Sequence, residues 1–112
     1  MSSSQSMTEF QQIDIHQALQ LIEQGAALAD IRDQTSYRNA HIRGAKHLDN
    51  HNLQEFIDAA DLDTALVVYC YHGHSSQPAA QFLIERGFDA VYSLAGGFEA
   101  WQQAFPDHCT PD

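Results

Sequence analysis

Ala65-Leu66-Val67-Val68-Tyr69-Cys70, then Tyr71-His72-Gly73-His74-Ser75-Ser76, then Gln77-Pro78-Ala79-Ala80-Gln81-Phe82-Leu83-Ile84-Glu85-Arg86 is the stretch from which the fold is read. The first part is a continuous apolar run, which predicts a strand buried on both faces. The second is short, polar and contains one glycine. The third has the composition and spacing of a helix, with Gly87 placed to close it. A buried strand turned sharply into a helix is half of a βαβ unit, the building block of a parallel sheet.

The same alternation continues on both sides. Upstream, Phe10–Ile13 predicts a short first strand, and Asp14 predicts an N-cap for a helix over His16–Gln24, stopped by Gly25. Ala27–Ile31 predicts a buried strand ending in the charged segment Asp30-Ile31-Arg32-Asp33. A turn of helix is expected at Ser36–Asn39. His41–Ala45 is expected as a loop into a short strand near Lys46–Leu48, and Asn52–Ala60 has helical spacing. Downstream, Ala90–Ser93 predicts a strand, Gly96-Gly97 a break, and Phe98–Phe105 a last helix burying Phe98, Trp101 and Phe105. Short strands alternating with helices predict one α/β domain with right-handed crossovers and a mostly parallel sheet. The expected boundaries are a disordered tail over residues 1–8, a domain over 9–107 and a C-terminal tail over 108–112.

Size and charge narrow the function. A chain of 112 residues, 44% hydrophobic, suits one soluble domain with a modest core. No apolar run approaches the ~20 residues of a membrane-spanning helix, and residues 1–7 lack the positive and apolar regions of a signal peptide. A cytoplasmic protein is expected. The net charge is −10, with Arg32, Arg38, Arg43, Lys46 and Arg86 the only fixed positive charges. That balance argues against a nucleic-acid partner and against an anionic membrane surface. Cys70 and Cys109 are the two cysteines. They form no disulfide framework, and Cys109, in an apparently irregular terminal segment, is taken as incidental.

In an open parallel sheet, ligands gather at the C-terminal ends of the strands. Cys70 is expected there, beneath a helix N-terminus, and Arg32 is expected at the end of a second strand. Backbone amides converging on a sulfur at that place favour the thiolate and other small anions. Charge-assisted hydrogen bonds of about 1.5–3 kcal/mol each make a pKa drop of two units, about 2.7 kcal/mol, attainable with a few of them. Gly73 supplies the freedom for the turn, and Ser75 and Ser76 are expected to cap the helix. The plain alternative is a cysteine that merely packs.

Two further alternatives meet chemical objections. Cys70, His72 and His74 offer zinc-ligand chemistry, but a second ligand pair would have to come from the distant His41, His47 or His51. No metal is expected, and His72 and His74 are taken as solvated residues of the loop. A cysteine phosphatase or arsenate reductase places an arginine at the end of its loop as a bidentate phosphate clamp. Here Ser75 and Ser76 stand at that end, and the next arginine is Arg86, at the far end of the helix.

Taken together, Asp30-Ile31-Arg32-Asp33 with Ser36-Tyr37, His41-Ile42-Arg43-Gly44-Ala45, the Cys70–Ser76 loop, and Gly96-Gly97-Phe98-Glu99-Ala100-Trp101 occur in an order that resembles the rhodanese family. The likeness runs from about Glu9 to Phe105 and is strongest to the single-domain thiosulfate sulfurtransferases. It implies a five-stranded parallel sheet flanked by helices. It implies Cys70 as a persulfide-forming nucleophile, Tyr71, His72, Gly73, His74, Ser75 and Ser76 as the active-site loop, and Arg32 as an anion-binding residue. It implies no cofactor, thiosulfate as donor, and cyanide or a thiol as acceptor, with a thioredoxin-type dithiol protein as one such thiol. A rhodanese module that carries sulfur or binds a partner without turnover is the second expectation. His74 stands where the single-domain type would have asparagine, and the loop ends in serine where many rhodaneses have a basic residue.

Overall fold

The computed structural model describes residues 7–111. Five parallel strands form the central sheet: β1 (Gln11–Ile13), β2 (Ala27–Asp30), β4 (Lys46–His47), β5 (Leu66–Tyr69) and β6 (Val91–Leu94), in the order β1-β6-β5-β2-β4. The helices are α1 (Ile15–Glu23), α2 (Gln34–Asn39), α3 (Leu53–Ala59), α4 (Ser76–Glu85) and α5 (Gly97–Ala104). The expected α/β fold with its five-stranded parallel sheet is therefore observed.

The period-2 alternation of the strands divides the core into two layers. Leu28, Val67, Tyr69 and Leu94 face one side and pack with Ala18 of α1 and with Phe98 and Trp101 of α5. Ala29, Leu66, Val68 and Val91 face the other side and pack with Ile57 of α3 and with Ala80, Leu83 and Ile84 of α4. Helices on both faces explain why β5 is apolar throughout and fully buried. Asp14 starts α1 through a capping box: its carboxylate accepts from the Gln17 amide at 2.8 Å, and the Gln17 side chain accepts from the Asp14 amide at 2.9 Å.

β5 lies in the middle of the sheet. The chain leaves β2 toward β4 on one side and leaves β5 toward β6 on the other. The C-terminal ends of β2 and β5 therefore flank a topological switch point, the place where such sheets bind ligands.

Two expectations need correction. His41-Ile42, expected in a loop, forms a strand, β3, antiparallel to β7 (Cys109–Thr110), with His41 opposite Thr110 and Ile42 opposite Cys109. The segment after 107 is accordingly no free tail: a 3₁₀ turn at Pro106–His108 leads into β7, and the Arg43 amide donates to the His108 carbonyl at 2.7 Å. Residues 1–6 of the expected N-terminal tail lie outside the described residues. Met7 is held, its amide donating to the Asp89 carbonyl at 2.7 Å and its side chain packing on the α3/α4 layer.

Candidate active site

Cys70 is the first residue past β5, and α4 begins six residues later at Ser76. The intervening loop closes back on the sulfur. The Gly73 amide donates to Cys70 Sγ at 3.2 Å and the Ser76 amide at 3.3 Å. The Ser76 amide is one of the orphan donors that every helix start presents, and the Gly73 amide joins it from the loop. Ser75, the N-cap residue, makes no capping bond with its side chain, so the sulfur takes the capping role that the sequence assigned to the two serines. The Ser76 hydroxyl is occupied elsewhere, 3.5 Å from Cys70 Sγ and 2.8 Å from the Ser93 hydroxyl. The Gln77 amide side chain closes the loop by donating to the Gly73 carbonyl at 2.9 Å.

Cys70 is 7% exposed. Burial opposes its ionisation, but the Ser76 hydroxyl and the amides of Ser76, Gly73 and Ser75 outweigh it and hold the thiol below its ordinary pKa. Tyr71, His72 and His74 are exposed on the outer side of the loop. His72 Nδ1 lies 3.0 Å from Glu99 Oε1 and its ring meets Tyr71 edge-on at 4.5 Å. The loop thus carries buried donors on its inner side and titratable side chains on its outer side.

α5 braces the loop from below. Its Phe98 and Glu99 amides donate to the carbonyls of Cys70 and Tyr71 at 2.9 and 3.1 Å. This approach requires the absence of side chains. A Cβ on Gly97, which has φ +59°, would lie 2.5 Å from the Cys70 carbonyl oxygen. One on Gly73, with φ +95°, would lie 2.9 Å from the Gly96 nitrogen.

Arg32 lies two residues past β2, at the strand end where it is expected, and its side chain is held by the framework beneath the loop. Its Nε lies 3.1 Å from each Asp30 carboxylate oxygen, and its Nη2 donates to Asp30 at 2.7 Å and to the Ala40 carbonyl at 2.6 Å. The guanidinium lies over the Phe98 ring, 4.0 Å from its centre. Burial works against its charge, but Asp30 more than offsets this and raises its pKa. These donors face inward, into the framework beneath the loop, and none reaches the sulfur. Tyr69 completes the framework. Its hydroxyl accepts from the Ile42 amide at 3.1 Å and bonds Asp30, and burial first and Asp30 second push its pKa far up. Asp30, fully buried, thus joins β2, β5 and the α5 start through Arg32.

The other candidates fall away from Cys70. His41 Nδ1 lies 2.9 Å from the Tyr37 carbonyl and His47 Nε2 lies 2.6 Å from the Arg32 carbonyl. Among the described residues, no three His, Cys, Asp or Glu side chains are grouped to hold a metal ion. Arg86 caps the far end of α4 and donates to Gln54 at 3.1 Å. Cys109 is half-buried in β7, and burial raises its thiol pKa, offset in part by Arg32 and Arg43. A cleft of about 650 Å³ lies between α3 and α4, lined by Ile31, Leu48, Leu53 and Phe82 with Asp33 and Asp49 at its edge; Cys70 does not line it.

Ser93, Gly97 and Asp30 were not expected in the site. Ser93 alone carries a usable signal: a polar residue two positions from Val91 on a core-facing strand register needs a polar partner.

Comparison with known proteins agrees with this geometry. The Rhodanese-like domain family matches residues 14–104. The chain is 53% identical over 106 residues to Thiosulfate sulfurtransferase GlpE of Stutzerimonas stutzeri (strain A1501), covering 95% of this chain and 97% of that one. It is 57% identical over 97 residues to Thiosulfate sulfurtransferase GlpE of Pseudomonas paraeruginosa (strain DSM 24068 / PA7), covering 87% and 88%. The Rhodanese-like domain of the Alr3790 protein from Anabaena sp., solved in solution by NMR, is similar with a TM-score of 0.76 at 26% identity, over 90% of this chain and 79% of that one.

Proposed function

The chain belongs to the rhodanese-like domain family, and on that premise we propose that it is a thiosulfate sulfurtransferase working through a persulfide on Cys70. The observation that carries the reading is the sulfur itself, buried at the head of α4 and accepting two backbone amides with a lowered thiol pKa. In support, relatives 53% and 57% identical over most of their length carry that activity in their names.

The Cys70 thiolate attacks the outer sulfur of thiosulfate. A Cys70–sulfur bond forms, the sulfur–sulfur bond of thiosulfate breaks, and sulfite departs with the electron pair. Three negative charges enter the step and three leave it, shared between the persulfide anion and sulfite. An acceptor then takes the outer sulfur and returns Cys70 as a thiolate. Cyanide leaves as thiocyanate, and a thiol leaves as its own persulfide. The lowered pKa serves both halves, since it raises the thiolate fraction at a given pH and makes Cys70 a better leaving group. The loop amides are the donors for the persulfide's terminal charge. A covalent intermediate between two half-reactions predicts ping-pong kinetics, with parallel double-reciprocal lines.

Cyanide as the assay acceptor, a small thiol or a thioredoxin-type dithiol protein as the acceptor in cells, and a cytoplasmic setting that keeps both thiols reduced belong to the same proposal. So does the loop as the anion site. Arg32 enters it as a positioning residue, because its Nε and Nη2 are engaged by Asp30 and the Ala40 carbonyl. No cofactor enters either half-reaction.

The test is the intact mass of the protein before and after excess thiosulfate, with Cys70→Ser alongside. A gain of one sulfur atom by the wild type alone is expected. No gain in a folded protein with a free thiol would refute thiosulfate as donor and put the partner-binding module ahead.

A further inference from the structure

Ser76 and Ser93 are both fully buried, and their hydroxyls are 2.8 Å apart behind the Cys70 sulfur. The sheet register explains the meeting. Ser93 pairs with Val68 across β5 and β6, so the two share the face that α4 covers, and Cys70 follows two residues after Val68. A hydroxyl has one proton to donate. The Ser76 hydroxyl has two neighbours that could take its proton, the Cys70 sulfur at 3.5 Å and Ser93 Oγ at 2.8 Å.

The two protonation states of Cys70 differ in how many protons this chain can use. With a thiol, three protons (the Sγ–H and the two hydroxyls) share two contacts, so one of them has no acceptor within the chain, inside a buried site. With a thiolate, Ser93 donates to Ser76, Ser76 donates to the sulfur, and both hydroxyl protons are used. An unmet buried donor is costly, so the pair favours the ionised sulfur beyond what Ser76 would do alone.

We propose that Ser93 is a positioning residue: its hydroxyl donates to Ser76 and so turns the Ser76 proton onto the Cys70 sulfur whenever that sulfur is a thiolate. The inference rests on the reading of Cys70 as nucleophile. It adds that the nucleophile is sustained from the sheet, by a side chain on the neighbouring strand, as well as by its own loop. The step repeats when sulfur transfer to the acceptor returns Cys70 as the leaving thiolate.

The experiment titrates Cys70 by its ultraviolet thiolate absorbance in a Cys109→Ala background, which leaves one thiol. Ser93→Ala, Ser93→Thr, Ser76→Ala and the Ser76→Ala/Ser93→Ala pair are compared. The groups on the elements around the sulfur that could titrate or carry charge are Tyr71, His72 and His74 of the loop, Glu99 of α5, and Asp30, Arg32 and Tyr69 of the framework beneath. All of them are common to every variant, so differences between variants are not theirs. Ser93→Ala should raise the Cys70 pKa by about one unit, a tenfold loss of thiolate at a fixed pH below it. Ser93→Thr, which keeps the hydroxyl, should restore the parent value. In the Ser76→Ala background Ser93→Ala should shift nothing more, because its route to the sulfur is gone.

A parent-like titration for Ser93→Ala overturns the proposal, and so does an equal shift with and without the Ser76 hydroxyl. Should Ser93→Thr fail to fold, the Ser76 cycle decides by itself. The titration needs no substrate, so it stands apart from the donor question. Failure to gain sulfur from thiosulfate sinks the sulfurtransferase reading and leaves the Ser93 result standing.

Discussion

Gly97→Ala should break the support under the Cys70–Ser76 loop, and the structure sets the size of the loss. The new Cβ would lie 2.5 Å from the Cys70 carbonyl oxygen, about 0.9 Å inside the 3.4 Å at which ordinary contact begins. The obstacle is backbone, so no side chain can swing away. Relief means moving the start of α5 off the loop by nearly that distance. The Phe98 and Glu99 amide bonds to Cys70 and Tyr71, now 2.9 and 3.1 Å, would both pass out of hydrogen-bonding range. Each is worth about 1 kcal/mol, and a left-handed alanine adds about 1–2 kcal/mol. The expected loss is about 3–4 kcal/mol, or more than about 10 °C in Tm. Gly44→Ala is the internal control, since Gly44 also has a positive φ, +90°, but its Cβ meets nothing within 4 Å. It should show the strain of about 1–2 kcal/mol and no more. Thermal melts followed by circular dichroism measure both, and the alkylation rate of Cys70 reports the loosened loop. If Gly97→Ala melts no lower than Gly44→Ala, the bracing role assigned to α5 is wrong.

Three further outcomes follow from the same geometry. Cys70 has a lowered thiol pKa and Cys109 a raised one; as pH falls, alkylation of Cys109 should therefore be lost first and that of Cys70 last, with turnover following Cys70. Coincident or reversed midpoints, read by mass on the two single-cysteine variants, would contradict this. Tyr69→Phe strips a buried partner from both Asp30 and the Ile42 amide and should cost about 1–3 kcal/mol in urea unfolding; a change below about 0.5 kcal/mol, the range of neutral surface substitutions, would remove Tyr69 from the framework. Cys109→Ala should leave thiocyanate production from thiosulfate and cyanide unchanged, and a large loss would give that thiol a part in the cycle.

Regular elements were legible because each one repeats a signal. β5 is an unbroken apolar run, and burial on both faces is the reason it is unbroken. β3 and β7 carry no such signal. Each has two residues, too few for periodicity, and their pairing joins positions far apart in the chain. The position of Cys70 beneath a helix start was legible because strand, glycine loop and helix place it without further information. The serines were assigned to helix capping because that is their common role, but here the sulfur caps α4 and releases the Ser76 hydroxyl. Arg32 showed its charge and hid its partner. Asp30, two residues earlier, would be an ordinary surface carboxylate were β2 not covered on both faces.

The charge of the chain constrains how such a site takes an anion. At −10 overall, the protein repels a dianion at long range, but in physiological salt that field decays over about 8 Å. What the anion meets at contact is decided by the loop. The nearest cation of the framework, Arg32, is already neutralised by Asp30, and the loop ends in Ser75 and Ser76 where a phosphate clamp would need arginine. Recognition then falls to amides and hydroxyls, whose partial charges suit one diffuse charge better than the concentrated charge of a phosphate. The terminal sulfur of a persulfide is such a group, large, polarisable and singly charged. Sulfite, by contrast, is a dianion for which the site holds no fixed positive charge, so in the proposed cycle the electrostatics that would retain a persulfide would also favour release of the leaving group.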